Sequence, residues 1–151
     1  MPPTPPAFEL ELTRVIAAPR ARVYEAWTTP QQLAQWFAPQ PYQLLIHTMD
    51  VRPGGRLHMA MRAPDGTTHA FTGTYRELVP PSTLTWTGAC ATGPADQLTT
   101  VITLEERGRQ TQVHARQTFH VMTPAIAQAT QGAQQGWTLT LDPLAAFCAA
   151  P

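Results

Sequence analysis

No lysine occurs in the 151 residues, so all ten basic side chains are arginines, and ten aspartates and glutamates balance them. Without a lysine-rich arm or an excess of positive charge, the chain lacks the electrostatic footprint of a nucleic-acid binder. Cysteine is nearly absent too: Cys90 and Cys148 fit neither a secreted disulfide framework nor a paired-cysteine metal site, and they read as reduced thiols. The only serine, Ser82, stands in a Pro-Pro turn, which argues against acyl-enzyme chemistry. No stretch approaches the roughly 18 uninterrupted apolar residues of a membrane span. The opening MPPTPPAFEL has neither the positive nor the apolar region of a signal peptide. The expectation is a cytoplasmic protein without a membrane or nucleic-acid partner.

What is present is a chain of single-domain length, able to bury a core without disulfides or metals. Pro2, Pro3, Pro5 and Pro6 keep residues 1–7 extended, so one domain is expected over 8–150. Phe8, Leu10 and Leu12 alternate with Glu9, Glu11 and Thr13, the period of a strand with one buried face, ending near Ile16. Pro19 suits a first helical turn, and Val23, Tyr24 and Trp27 recur at helical spacing as far as Thr28 and Thr29. Pro30 restarts a short second helix whose apolar stripe is Leu33, Trp36 and Phe37.

Beyond Pro41 the texture becomes a meander of strands: 44–51, 56–62, 68–79, 83–87, 98–104 and 111–120. The breaks are Pro53-Gly54-Gly55, where glycine admits positive φ, then Pro64-Asp65-Gly66, Pro80-Pro81 and Gly108. From about 123 to 150 the chain is rich in Ala and Gln, and Trp137, Leu141, Leu144 and Cys148 are spaced for a long amphipathic helix, broadened by Leu139 and Phe147. Pro143 is expected to kink or interrupt it. The fold class is therefore α+β: a curved seven-stranded antiparallel sheet around a long C-terminal helix, with two short helices after the first strand.

This order resembles the helix-grip fold of the START-like superfamily, which also holds the birch-pollen-allergen and polyketide-cyclase-like proteins. Three segments carry the likeness: TRVIAAPRARVYEAWTTPQQLAQWFAP at 13–39, DVRPGGRLHMAMRAPDGTTHAFTGTYRELVPPSTLTWT at 50–87 and GWTLTLDPLAAF at 136–147. Together they look like the family of bacterial proteins similar to the activator of the heat-shock-protein-90 ATPase. The resemblance implies a hydrophobic cavity between sheet and C-terminal helix, with no catalytic residue set common to the family. The proline at 143 and the absence of lysine depart from the family's usual pattern.

The candidate lining follows from strand and helix faces. Met59 and Met61 share one face, Phe71 and Tyr75 another, Trp86 lies on the next strand, and Trp36, Phe37, Trp137 and Leu141 come from helices. Core packing is the ordinary role of each, but such large or pliable side chains also bound cavities for flexible apolar ligands. His69 alternates in phase with Phe71 and Tyr75, and beside a tyrosine hydroxyl it would suit acid-base chemistry on a carbonyl or enol. Arg14 is in phase with Leu10 and Leu12 and is expected to pair with an acid such as Asp50. His47, His58, His69, His114 and His120 form no ligand-spaced motif, and His58 and His114 fall on faces opposite the apolar residues, so no metal or cofactor is expected.

Three functions stay open. The first is sequestration of a small hydrophobic molecule by a monomer or homodimer, which needs a cavity of roughly a few hundred Å³. The second is a cyclase-like or hydrolase-like enzyme using His69, Tyr75 or Arg14, which needs two polar groups converging in the pocket. The third is a chaperone-interaction module, which needs a sizeable exposed apolar patch.

Overall fold

The computed structural model describes residues 8–37, 41–90, 98–119 and 140–149. Strand β1 (Phe8–Ile16) leads into helix α1 (Arg20–Thr28) and helix α2 (Pro30–Trp36). Six strands follow: β2 (Gln43–Met49), β3 (Arg56–Arg62), β4 (Thr68–Val79), β5 (Thr83–Cys90), β6 (Leu98–Arg107) and β7 (Gln110–Phe119). Residues 140–149 are helical throughout and form the described part of α3. All seven strands join one antiparallel sheet in the order β1-β7-β6-β5-β4-β3-β2. This is the α+β helix-grip arrangement expected of the sequence.

The turns show why the meander closes as it does. Gly54, Gly66 and Gly108 hold positive φ, the region closed to most side chains. Gly55 does not, and is required for a different reason: a Cβ there would stand 1.9 Å from the Asp50 carbonyl oxygen. The β2–β3 turn folds onto β4, where the Gly54 N–H donates to the Tyr75 carbonyl (2.7 Å) and the Tyr75 N–H donates to the Gly55 carbonyl (2.9 Å). Strand β5 continues three residues past the expected Thr87, because Gly88, Ala89 and Cys90 still pair with β4.

The core lies between the inner sheet face and the helices. Leu141, Leu144 and Cys148 form the buried stripe of α3, at helical spacing as the sequence implied. Residues on both sides of Pro143 are helical from 140 to 149, so the expected interruption does not occur within the described residues. Pro143 stands in the first turn of the described helical residues, and its missing N–H and its ring both bear on residue 139, outside the described residues. Thr111 is buried on β7 and donates its hydroxyl to the Ala18 carbonyl at 2.8 Å, fixing the loop that launches α1. Trp137, Leu139 and His120, together with the expected start of the last helix near 123, lie outside the described residues.

Candidate functional site

The two short helices are bound to each other by tryptophan. Trp36 donates its indole N–H to the Ala26 carbonyl at 3.0 Å, and its ring meets Trp27 edge-on with centroids 4.6 Å apart. Phe37 stands 6.1 Å from Trp27 and Trp86 stands 6.0 Å from it, so an aromatic cluster spans α1, the end of α2 and β5. Aromatic pairs of this kind contribute about 0.5–1.5 kcal/mol each beyond the area they bury. Arg22 extends the tie outward: it donates to the Gln32 Oε1 at 2.6 Å and lies 4.7 Å from the centre of the Phe147 ring. The helices thereby form a joined layer over the sheet.

Beneath that layer is an apolar cavity. Its walls are Trp27 from α1, Leu33 and Phe37 from α2 and its C-cap, Leu57 and Met59 from β3, Tyr75 from β4, and Leu84 and Trp86 from β5. Among the described residues its volume is about 10 Å³, room for roughly one water and far below the expected few hundred. The side chains close on one another in this state.

Four of the lining residues proposed from sequence, Phe37, Met59, Tyr75 and Trp86, meet at this cavity. Trp36 is buried behind them as the bond to Ala26 requires, and Leu141 is buried in the stripe of α3. Met61 and Phe71 are partly buried against the core. Position 69 stands opposite Met61 in the β3–β4 register, but its side chain lies outside the described residues, as does Trp137. Trp27, Leu33, Leu57 and Leu84 join the lining without being expected there; Leu33, Leu57 and Leu84 share an element face with an expected lining residue, whereas no residue of α1 was expected to line it.

Phe71 occupies space that two glycines leave free. Gly73 and Gly88 face each other across β4 and β5. A Cβ on Gly73 would fall 3.1 Å from Phe71 Cε1, and one on Gly88 would fall 2.7 Å from Phe71 Cζ. The ring therefore lies flat along the inner face. Its glycine floor continues the lining, since Leu57 pairs with Gly73 and Trp86 lies two residues from Gly88.

Arg14 is corrected by the structure. It pairs with Asp142 on α3 at 2.8 Å, both side chains about half exposed, while Asp50 is held by Arg52 at 2.7 Å. The inner-face phase was right, but a side chain this long at the sheet edge reaches the helix and solvent rather than the cavity. His58 and His114 are directed away from the core as expected. His58 stacks on His47 with centroids 4.8 Å apart, and His114 Nε2 lies 3.5 Å from Glu11 Oε2.

Tyr75 carries the only hydroxyl among the eight lining residues. Burial is the main cause that raises its pKa above the ordinary phenol value, and the neighbouring Tyr24 phenol pushes the same way. It is a neutral hydrogen-bond donor at any physiological pH. Thr100, fully buried, accepts a bond from Gln117 Nε2 at 3.1 Å and brings a second polar pair to the inner face beside Trp86.

The comparisons with known proteins agree with this architecture. The sequence profile of the family described as "Activator of Hsp90 ATPase homolog 1-like protein" matches residues 17–149. A solved structure from Chromobacterium violaceum is 31% identical, with 95% of this chain and 98% of that one covered and a TM-score of 0.84. One from Nitrosomonas europaea is 28% identical over 92% of each chain, with a TM-score of 0.77. An AHSA1-like protein from Aeromonas hydrophila shares the fold at 24% identity, covering 93% of this chain and 91% of its own, with a TM-score of 0.73. No curated protein matches the sequence.

Proposed function

The chain belongs to the Activator of Hsp90 ATPase homolog 1-like family, and from that premise we propose that it binds a small hydrophobic molecule between the sheet and its helices, as a single domain over 8–150. The observation that carries this reading is the convergence of large and pliable apolar side chains from two helices and three strands around one small void. The space is small, so loading requires the lining to yield. Met59, unbranched and pliable, is suited to do so.

The described lining offers one hydroxyl and no carboxylate, imidazole or thiol, which favours binding over acid-base chemistry. The large hydrophobic residues exposed among the described ones are Val15, Tyr42 and Val79. Val15 and Tyr42 belong to opposite edges of the sheet, an arrangement that does not favour a chaperone-docking patch. No described helix is long and apolar enough to cross a membrane. We place the protein in the cytoplasm as a monomer or homodimer without a cofactor.

Native mass spectrometry of freshly purified protein, followed by thermal-shift titration with apolar compounds, tests the reading. A retained small molecule, or a melting temperature that climbs with ligand concentration, supports it. No adduct and no shift across the series counts against it.

A further inference from the structure

A buried hydroxyl ordinarily finds a hydrogen-bond partner, because leaving it unpaired costs free energy that a phenylalanine in the same place would avoid. Tyr75 is 2% exposed and no hydrogen bond reaches its hydroxyl among the described residues, but the hydroxyl oxygen is not sealed off, so its partner comes from the cavity or solvent rather than from the wall. Its position is firmly set. Both backbone polar groups are held by the Gly54-Gly55 turn, Trp86 is its cross-strand partner, and the β4 register shift begins directly after it. The fold thus fixes a phenol in the cavity wall and gives its tip nothing within the wall to bind.

We infer that Tyr75 donates its hydroxyl hydrogen to an oxygen of the bound molecule, so that the pocket selects apolar compounds carrying a carbonyl or ether acceptor over pure hydrocarbons. This rests on the ligand-binding reading above and specifies its ligand class. The remaining lining fits such a molecule: leucine, methionine and aromatic walls for the apolar body, and a single hydroxyl among its polar groups for the oxygen. An anionic ligand is disfavoured, since no cationic side chain lines the cavity among the described residues.

The test uses two probes of nearly equal shape, acetophenone and α-methylstyrene, which differ by C=O against C=CH₂. Each is titrated into the wild-type protein and into Tyr75→Phe. The expected result is a ketone-over-alkene preference that falls about twofold to tenfold in Tyr75→Phe, the net effect of one neutral hydrogen bond. An unchanged preference, with both probes still binding, overturns the Tyr75 inference and leaves the pocket reading intact. If neither probe binds the wild-type protein, the pocket reading fails and this inference fails with it. Infrared spectroscopy of ¹³C=O acetophenone bound to the wild-type protein and to Tyr75→Phe gives a second readout. A carbonyl stretch lowered relative to hexane solution in the wild type, and moved back toward the hexane position in Tyr75→Phe, supports donation by the hydroxyl; a stretch at the hexane position in the wild type, or the same lowered stretch in both proteins, contradicts it.

Discussion

Arg14 Nη1 lies 2.8 Å from Asp142 Oδ1, and this ion pair joins the sheet's edge strand β1 to the closing helix α3. Both side chains are about half exposed, so water and salt screen the attraction. In a double-mutant cycle with Arg14→Gln and Asp142→Asn, the coupling should be about 0.2–1 kcal/mol by chemical denaturation. It should shrink as salt rises. A coupling of several kcal/mol, insensitive to salt, would mean that the pair is far less hydrated than its exposure implies.

Leu84 is 2% exposed and lines the cavity. Leu84→Ala should cost about 2–5 kcal/mol of stability, the range for truncating a buried leucine. The same change enlarges an apolar space, so acetophenone should raise the melting temperature of Leu84→Ala more than that of the wild type. Equal shifts in the two proteins would show that the probe binds elsewhere.

At Gly88 an added Cβ would stand 2.3 Å from the Thr72 carbonyl oxygen as well as 2.7 Å from the Phe71 ring. Gly88→Ala should therefore destabilise the protein by about 1–3 kcal/mol, the cost of overpacking. A Phe71→Leu background should relieve only part of that loss, because the contact with backbone remains. Urea unfolding of the single and double variants reads both terms.

Burial raises the pKa of Tyr75, as it does that of Tyr24. A phenol whose folded pKa exceeds its unfolded value near 10 supports folding below that pH. The support is lost as pH climbs above 10, where the unfolded chain ionises first. Melting temperature should fall above pH 10, and less steeply in Tyr75→Phe. Parallel curves for the two proteins would remove Tyr75 from the alkaline transition.

The Cys148 thiol is pushed up by burial, with Arg22 offsetting part of the effect. In a Cys90→Ser background, Ellman's reagent should react with Cys148 only slowly at neutral pH, its rate rising at more alkaline pH than for a free cysteine. Rapid labelling at pH 7 would show that α3 opens readily.

The architecture was legible because each level of the sequence agreed with the next. The alternation of Phe8 to Thr13 set β1, the Pro53-Gly54-Gly55 turn set the β2–β3 hairpin, and Leu141, Leu144 and Cys148 marked the buried side of α3. The partner of Arg14 was not legible. Strand phase tells which face a side chain leaves from, but a long arginine at a sheet edge chooses its acid by tertiary proximity, and Asp142 is far away in sequence. The cavity was half legible: Met59, Tyr75 and Trp86 stood out as large or polar-tipped, whereas Leu57 and Leu84 carry no chemical signature separating a lining leucine from a core one. Its size could not be read at all, because volume depends on rotamers and helix docking that no pattern encodes.

The position of Met59 in the cavity wall gives the most direct test of ligand binding there. The protein is labelled with ¹³C at the methionine methyls, Met59 is assigned by comparison with Met59→Leu, and acetophenone is added stepwise under NMR observation. The Met59 signal should move and saturate while that of Met49, on β2 and outside the cavity lining, stays nearly still. A Met59 signal that does not move up to the solubility limit of the probe, or drifts without saturation alongside Met49, would contradict a ligand site at this cavity.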